Sequence, residues 1–107
     1  MAINPLKVLF VASEVEGLVK TGGLADVAKA LPQHLARAGH DVRIILPFYQ
    51  TLKRRDEARL LASRWLPTPQ GRDDLSYRIY QLELDGICVY LLDCPAYFER
   101  PQLYAEN

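Results

Sequence analysis

Hydrophobic and polar positions divide this chain into blocks whose repeat changes from strand to helix and back. From Leu6 to Ala12 the run Leu-Lys-Val-Leu-Phe-Val-Ala is nearly continuous and rich in strand formers, the pattern of a parallel strand covered on both faces. Leu24, Val27, Ala28, Leu31, Leu35 and Ala38 then recur at helical spacing, with Lys29, Gln33 and Arg37 between them, which predicts an amphipathic helix ending at Gly39 with that stripe against the core. Pro32 falls inside it, removes a backbone donor and crowds the preceding turn, so a kink is expected there. Asp41 to Leu46 reads as a second strand, closed by Pro47. Strand, helix and strand in this order predict a crossover unit with parallel strands.

The second half is more broken. Phe48 to Arg59 carries Lys53, Arg54, Arg55, Asp56, Glu57 and Arg59 in mixed sign and is read as a solvated connector rather than a nucleic-acid patch. Leu60 to Leu66 suits a short strand, and Pro67 to Asp74 a loop. Leu75, Tyr77 and Ile79 alternate in one phase and Tyr80, Leu82 and Leu84 in the other, before Asp85-Gly86 and Ile87 to Leu92. A hairpin is expected, with a bulge between Ile79 and Tyr80 to restore the inward face. Ala96 to Arg100 suggests one helical turn. The fold class is α/β, parallel strands plus a β-hairpin, in one Rossmann-like unit.

Composition narrows the partners. At 107 residues the chain has room for one core, and a 50% hydrophobic, 24% charged composition suits a folded protein. Thirteen basic residues balance thirteen acidic ones, so no long-range attraction to nucleic acid or an anionic membrane is expected. Met1 to Leu6 lacks a basic stretch leading into an apolar one, and no apolar run approaches the ~20 residues that span a bilayer. The expected location is the cytoplasm or a plastid-like soluble compartment. Cys88 and Cys94 form no Cys-x-x-Cys pattern, and the apolar strand around Cys88 reads it as a small buried hydrophobe. Neither a metal nor a resident cofactor is called for.

Chemistry concentrates between the first strand and the helix. Ser13-Glu14-Val15-Glu16-Gly17-Leu18-Val19-Lys20-Thr21-Gly22-Gly23 is long for such a connection and leaves the carboxyl end of the strand, where open α/β sheets bind ligands. Gly22 and Gly23 permit close approach to a backbone whose unpaired N–H groups and dipole favour an anion, and Lys20 adds a full positive charge. On this reading the loop cradles a diphosphate or phosphosugar. On the other, Thr21 caps the helix, the glycines form a turn and Lys20 faces solvent. Asp26 suits the helix dipole but would repel a phosphate, so it fits orienting a neighbour better than touching an anion. Glu14 could bind a sugar or anchor the loop. Neither the Walker pattern nor the dinucleotide fingerprint is present.

Lys7 to Glu14, Lys20-Thr21-Gly22-Gly23-Leu24-Ala25-Asp26-Val27 and Ala30-Leu31-Pro32 together resemble the start of bacterial and plant-type glycogen (starch) synthases. The resemblance continues through Gly39-His40-Asp41-Val42-Arg43, Leu46-Pro47-x-Tyr49 and Tyr97-Phe98-Glu99-Arg100-Pro101-x-x-Tyr104. It implies a partial N-terminal domain of a two-domain GT-B glycosyltransferase, with residues 1–107 as a single incomplete domain and the C-terminal domain missing. It also implies an activity, transfer of glucose from ADP-glucose to the non-reducing end of an α-1,4-glucan with retention. The piece alone is expected to be inactive.

Position by position, the resemblance puts Lys20 on the sugar nucleotide and Gly22 and Gly23 beside its diphosphate, with Glu14, Asp26 and Tyr104 as further cleft positions. No catalytic residue is expected within these 107 residues. The departure is Glu16-Gly17, where that family usually has a small residue and proline, which predicts a looser loop. A non-catalytic glucan- or nucleotide-sugar-binding module is the competing reading. A nicotinamide-dependent oxidoreductase fits poorly, since the glycine fingerprint is missing and the second strand ends in Leu46-Pro47 with no acid for a ribose. Bare sheet edges and apolar faces in so short a chain predict marginal stability and self-association.

Overall fold

A computed structural model describes residues 4–66 and 75–95. The loop expected over 67–74, the helical turn over 96–100 and Tyr104 lie outside the described residues. Strand β1 (Lys7–Val11), helix α1 (Gly23–Arg37) and strand β2 (Asp41–Pro47) follow in order, then a 3₁₀ turn (Arg55–Glu57), β3 (Arg59–Leu66), β4 (Leu75–Leu84) and β5 (Ile87–Asp93). They form one five-stranded sheet in the order β1-β2-β5-β4-β3. β1, β2 and β5 run parallel, whereas β5-β4 and β4-β3 are antiparallel. The mixed α/β sheet with a hairpin is therefore the architecture that the hydrophobic pattern predicts.

Side-chain alternation sorts the strands into two unlike faces. Rows such as Phe10–Ile44–Val89–Leu82 cross the sheet on the side of α1, and Ile44, Val89 and Leu82 are buried there. On the opposite side Leu9 and Val11 are exposed, and Val11 continues a row through Ile45 and Tyr90, both half-buried. No described helix covers this side.

Helix α1 is continuous across Pro32 and ends in a Schellman arrangement, with the Gly39 N–H donating to Ala36 C=O and the His40 N–H to Leu35 C=O. Gly39 takes φ +105°, the left-handed value this cap requires. The buried stripe differs from the expected one. Ala25, Ala28 and Pro32 seat the helix, while Leu24, Val27 and Leu31 are 41–52% exposed. Small side chains allow a close approach to the sheet, and the larger aliphatics on the neighbouring face are left without a described cover.

Three further expectations are corrected. The segment after β2 is not a solvated connector: Phe48, Tyr49 and Leu52 are buried in the core. Phe48 lies 4.9 Å from the Tyr80 ring between centroids, and the Arg55 guanidinium stacks 4.0 Å over Phe48. The charged residues ride on an apolar anchor at 48, 49 and 52, a signal their density conceals. The bulge expected in β4 lies instead on its partner. β4 keeps unbroken register with β5, and Leu61 of β3 is the extra residue, because Leu60 pairs with Tyr80 and Ala62 with Ile79. The phase change in β4 thus marks a strand apolar on both faces. Cys88 is half-buried on the face away from α1 rather than in the core, and Cys94 is the buried cysteine; both are free. Asp85 and Gly86 both take positive φ, as a two-residue hairpin turn requires.

Candidate functional site at the amino end of the helix

The long loop is held, not slack. Val15 and Val19 exchange both backbone hydrogen bonds at 3.0 Å, closing a tight turn with Val15 and Leu18 fully buried. Gly17 sits in that turn at φ +97°, and a Cβ there would meet Leu84 Cδ1 at 3.3 Å. The left-handed backbone favours glycine there, and a side chain would also require the Leu84 methyl to give way. The Glu16 N–H donates to Ala25 C=O (3.0 Å) and the Lys53 N–H to Leu18 C=O (2.8 Å). The loop is therefore pinned to the helix on one side and to the segment after β2 on the other. The looser loop expected from Glu16-Gly17 is not what forms, because glycine supplies a turn that these anchors then fix.

Glu14 is 1% exposed and is the only buried charged side chain among the described residues. Its carboxylate accepts from the Thr21 hydroxyl at 2.5 Å, the Gly22 N–H at 3.2 Å and the Ala25 N–H at 3.1 Å. Of the two roles left open for it, the structure shows the anchor. A helix begins with four unpaired N–H groups, and this carboxylate claims part of that set. The Gly23 and Leu24 N–H groups have no protein acceptor among the described residues, and both residues are exposed.

Lys20 reaches the same end of the helix. Its ammonium pairs with Asp26 Oδ1 at 2.7 Å, and Asp26 lies in the first turn of α1. The hydrogen bond from Lys20 holds the Asp26 carboxyl below its ordinary range, and the same bond raises Lys20, with Asp26, Glu16 and Glu14 adding favourable field. Both groups remain exposed, so salt will weaken the pair readily.

Gly22 and Gly23 differ from Gly17. Gly22 is extended, at φ −164°; a Cβ on it would meet Glu14 Oε1 at an ordinary 3.9 Å, and one on Gly23 would meet nothing within 4 Å. Neither glycine is demanded by the fold. An open apolar depression lined by Val11, Ala12, Ser13, Ile45, Leu46, Pro47 and Leu92 lies beyond the carboxyl ends of β1, β2 and β5, where the loop departs. Lys20, Gly22, Gly23 and Asp26 are thus brought together, Glu14 lies beneath them, and Tyr104 is outside the described residues. The Glu14–Thr21 tether and the Lys20–Asp26 pair could not be read from the sequence, because both close across the loop.

Parallel strands, a long loop leaving a strand's carboxyl end, and a helix whose amino end carries a lysine define an α/β unit of the Rossmann-like class. Within that class the chain belongs to the starch synthase catalytic domain family, whose pattern matches residues 7–107. It is 81% identical to the glycogen synthase of Aeromonas salmonicida over all 107 residues, which are 22% of that protein. It is 54% identical over 104 residues, 97% of this chain and 20% of the relative, to the glycogen synthase of Photobacterium profundum. Among solved structures it matches the catalytic domain of starch synthase IV from Arabidopsis thaliana bound to ADP and acarbose. That match has a TM-score of 0.83 and 30% identity, covering 97% of this chain and 22% of that one. The chain thus spans about a fifth of the length of the relatives it matches.

Proposed function

We propose that the full-length protein carrying this segment is a glycogen synthase that transfers glucose from ADP-glucose to an α-1,4-glucan. In this reading Lys20 and the exposed Gly23 and Leu24 amides hold the donor's diphosphate, with Gly22 and Gly23 beside it. The bond from the anomeric carbon to the diphosphate breaks and ADP departs. A bond to the acceptor oxygen forms with retention, and the proton of that hydroxyl passes to the departing diphosphate. Lys20 and the helix dipole offset negative charge gathering on the departing ADP, the kind of stabilisation that contributes most when donors are already in place. Residues outside this chain complete the domain and supply the second one. Tyr104 is a further donor contact in this proposal, and the cytoplasm is where the protein works.

The observation that carries the reading is the Lys20 ammonium tethered at the first turn of α1, on the helix end where the Gly23 and Leu24 N–H groups remain unclaimed. Two glycines that the fold itself does not need stand at the same place, which fits a backbone kept bare for a ligand. Family membership and the ADP bound to the Arabidopsis relative support the choice of a nucleotide diphosphate. Replacing Lys20→Gln in the full-length protein should lower kcat/KM for ADP-glucose about 100-fold, the scale of a lost charge-assisted contact to developing charge. Unchanged kinetics would remove Lys20 from the site.

A further inference from the structure

We propose that Glu14 and Thr21 are positioning residues that fix where the donor's diphosphate lands, without touching it. The inference rests on the cradle described above and gives it a boundary. Glu14 is a buried carboxylate at the amino end of a helix, the place a bound anion would otherwise take. Its Oε1 accepts from Gly22 N–H and Ala25 N–H, and Oε2 accepts from the Thr21 hydroxyl. The chain thereby supplies its own anion to part of the helix end and leaves Gly23 and Leu24 for an incoming one. Because Thr21 follows Lys20 directly, the 2.5 Å bond from its hydroxyl also sets the direction in which the lysine leaves the loop. A negative charge fixed beneath the cradle further disfavours a deeper seat for the diphosphate, confining it to the exposed amides.

Two near-isosteric substitutions in the full-length protein separate this role from simple support. Thr21→Val removes the hydroxyl and keeps the shape. Glu14→Gln keeps one oxygen for the two amides, and the Thr21 hydroxyl can turn to accept from the new amide group, so folding survives while the charge is lost. Each should raise the KM for ADP-glucose about 10-fold, the scale of a small misplacement at a reacting group. The KM for glucan should stay unchanged and the melting temperature should move by less than about 3 °C. Thr21→Ser should restore the donor KM. Donor KM unchanged in both variants, with Lys20→Gln still impaired, would overturn the positioning role alone. Full activity in Lys20→Gln would overturn the cradle and the positioning role together.

Discussion

The two faces of the sheet are in different states of completion. Beneath α1 and the long loop, Ile44, Leu46, Val89 and Leu91 are almost wholly buried, and Val15, Leu18, Phe48 and Leu52 close over them from two separate segments. On the other face the sheet presents Leu9 and Val11 of β1 to solvent, continuous with half-buried Ile45 of β2 and Leu92 of β5. Parallel strands are ordinarily buried on both sides, and here one side has its cover and the other has none among the described residues. The helix repeats the contrast, seated through alanines and baring Leu24, Val27 and Leu31. What distinguishes the covered face is the loop it carries, anchored among the described residues to Ala25 of α1 and to Lys53 after β2. The local geometry of the loop is thus set within these residues, although the relatives that the chain matches are about five times longer.

The comparison can be broken most forcefully in the core. Leu91→Ala should lower the stability of the isolated chain by about 3 kcal/mol, the typical cost of emptying a packed leucine site. Val11→Asp on the bare face should change stability by less than about 1 kcal/mol while reducing the self-association that an exposed apolar face invites. Denaturant melts and sedimentation measure both. Equal destabilisation by the two would show that the second face is also packed.

A subtler contrast lies between glycines of one loop. Gly17→Ala should destabilise, because φ +97° and the nearby Leu84 resist a side chain. Gly23→Ala meets no atom and places alanine in the first turn of a helix, so folding should be unchanged or improved by up to about 1 kcal/mol. Donor affinity of the full-length protein should nonetheless fall about 10-fold, because the methyl group narrows the approach to the exposed amides. A Gly23→Ala protein that binds donor normally would mean the glycine serves no ligand.

The smallest expected effect is that of pH. With Asp26 held low, its part of the pair is present above the ordinary carboxylate range and is lost as pH falls through the lowered value. With Lys20 held high, its part is present below the ordinary lysine range and is lost as pH rises through the raised value. The pair should therefore stay intact from about pH 6 to about pH 9. A titration of donor affinity that bends in this window would have to come from another group.

Much of this was legible in the chain itself. Strand runs at Leu6–Ala12 and Asp41–Leu46 and the Asp85-Gly86 turn each carry local signals that tertiary contacts only reinforced. What misled was burial. Leu24, Val27 and Leu31 look like a core stripe because periodicity reports which positions share a face, and it cannot report which partner arrives. Phe48 and Leu52 were masked by the bases around them. Leu61 shows the same limit, since the alternation in β4 reports which of its faces are apolar and carries no sign of the extra residue in its partner.

The central claim is that the amino end of α1, with Lys20, receives the donor's diphosphate. A crystal structure of the full-length protein with ADP tests it directly. A phosphate oxygen should lie about 3 Å from the Gly23 or Leu24 nitrogen, with Lys20 Nζ turned from Asp26 to the diphosphate and Glu14 still on Gly22 and Ala25. A bound ADP whose phosphates sit away from this helix, with Lys20 still paired to Asp26, would contradict it.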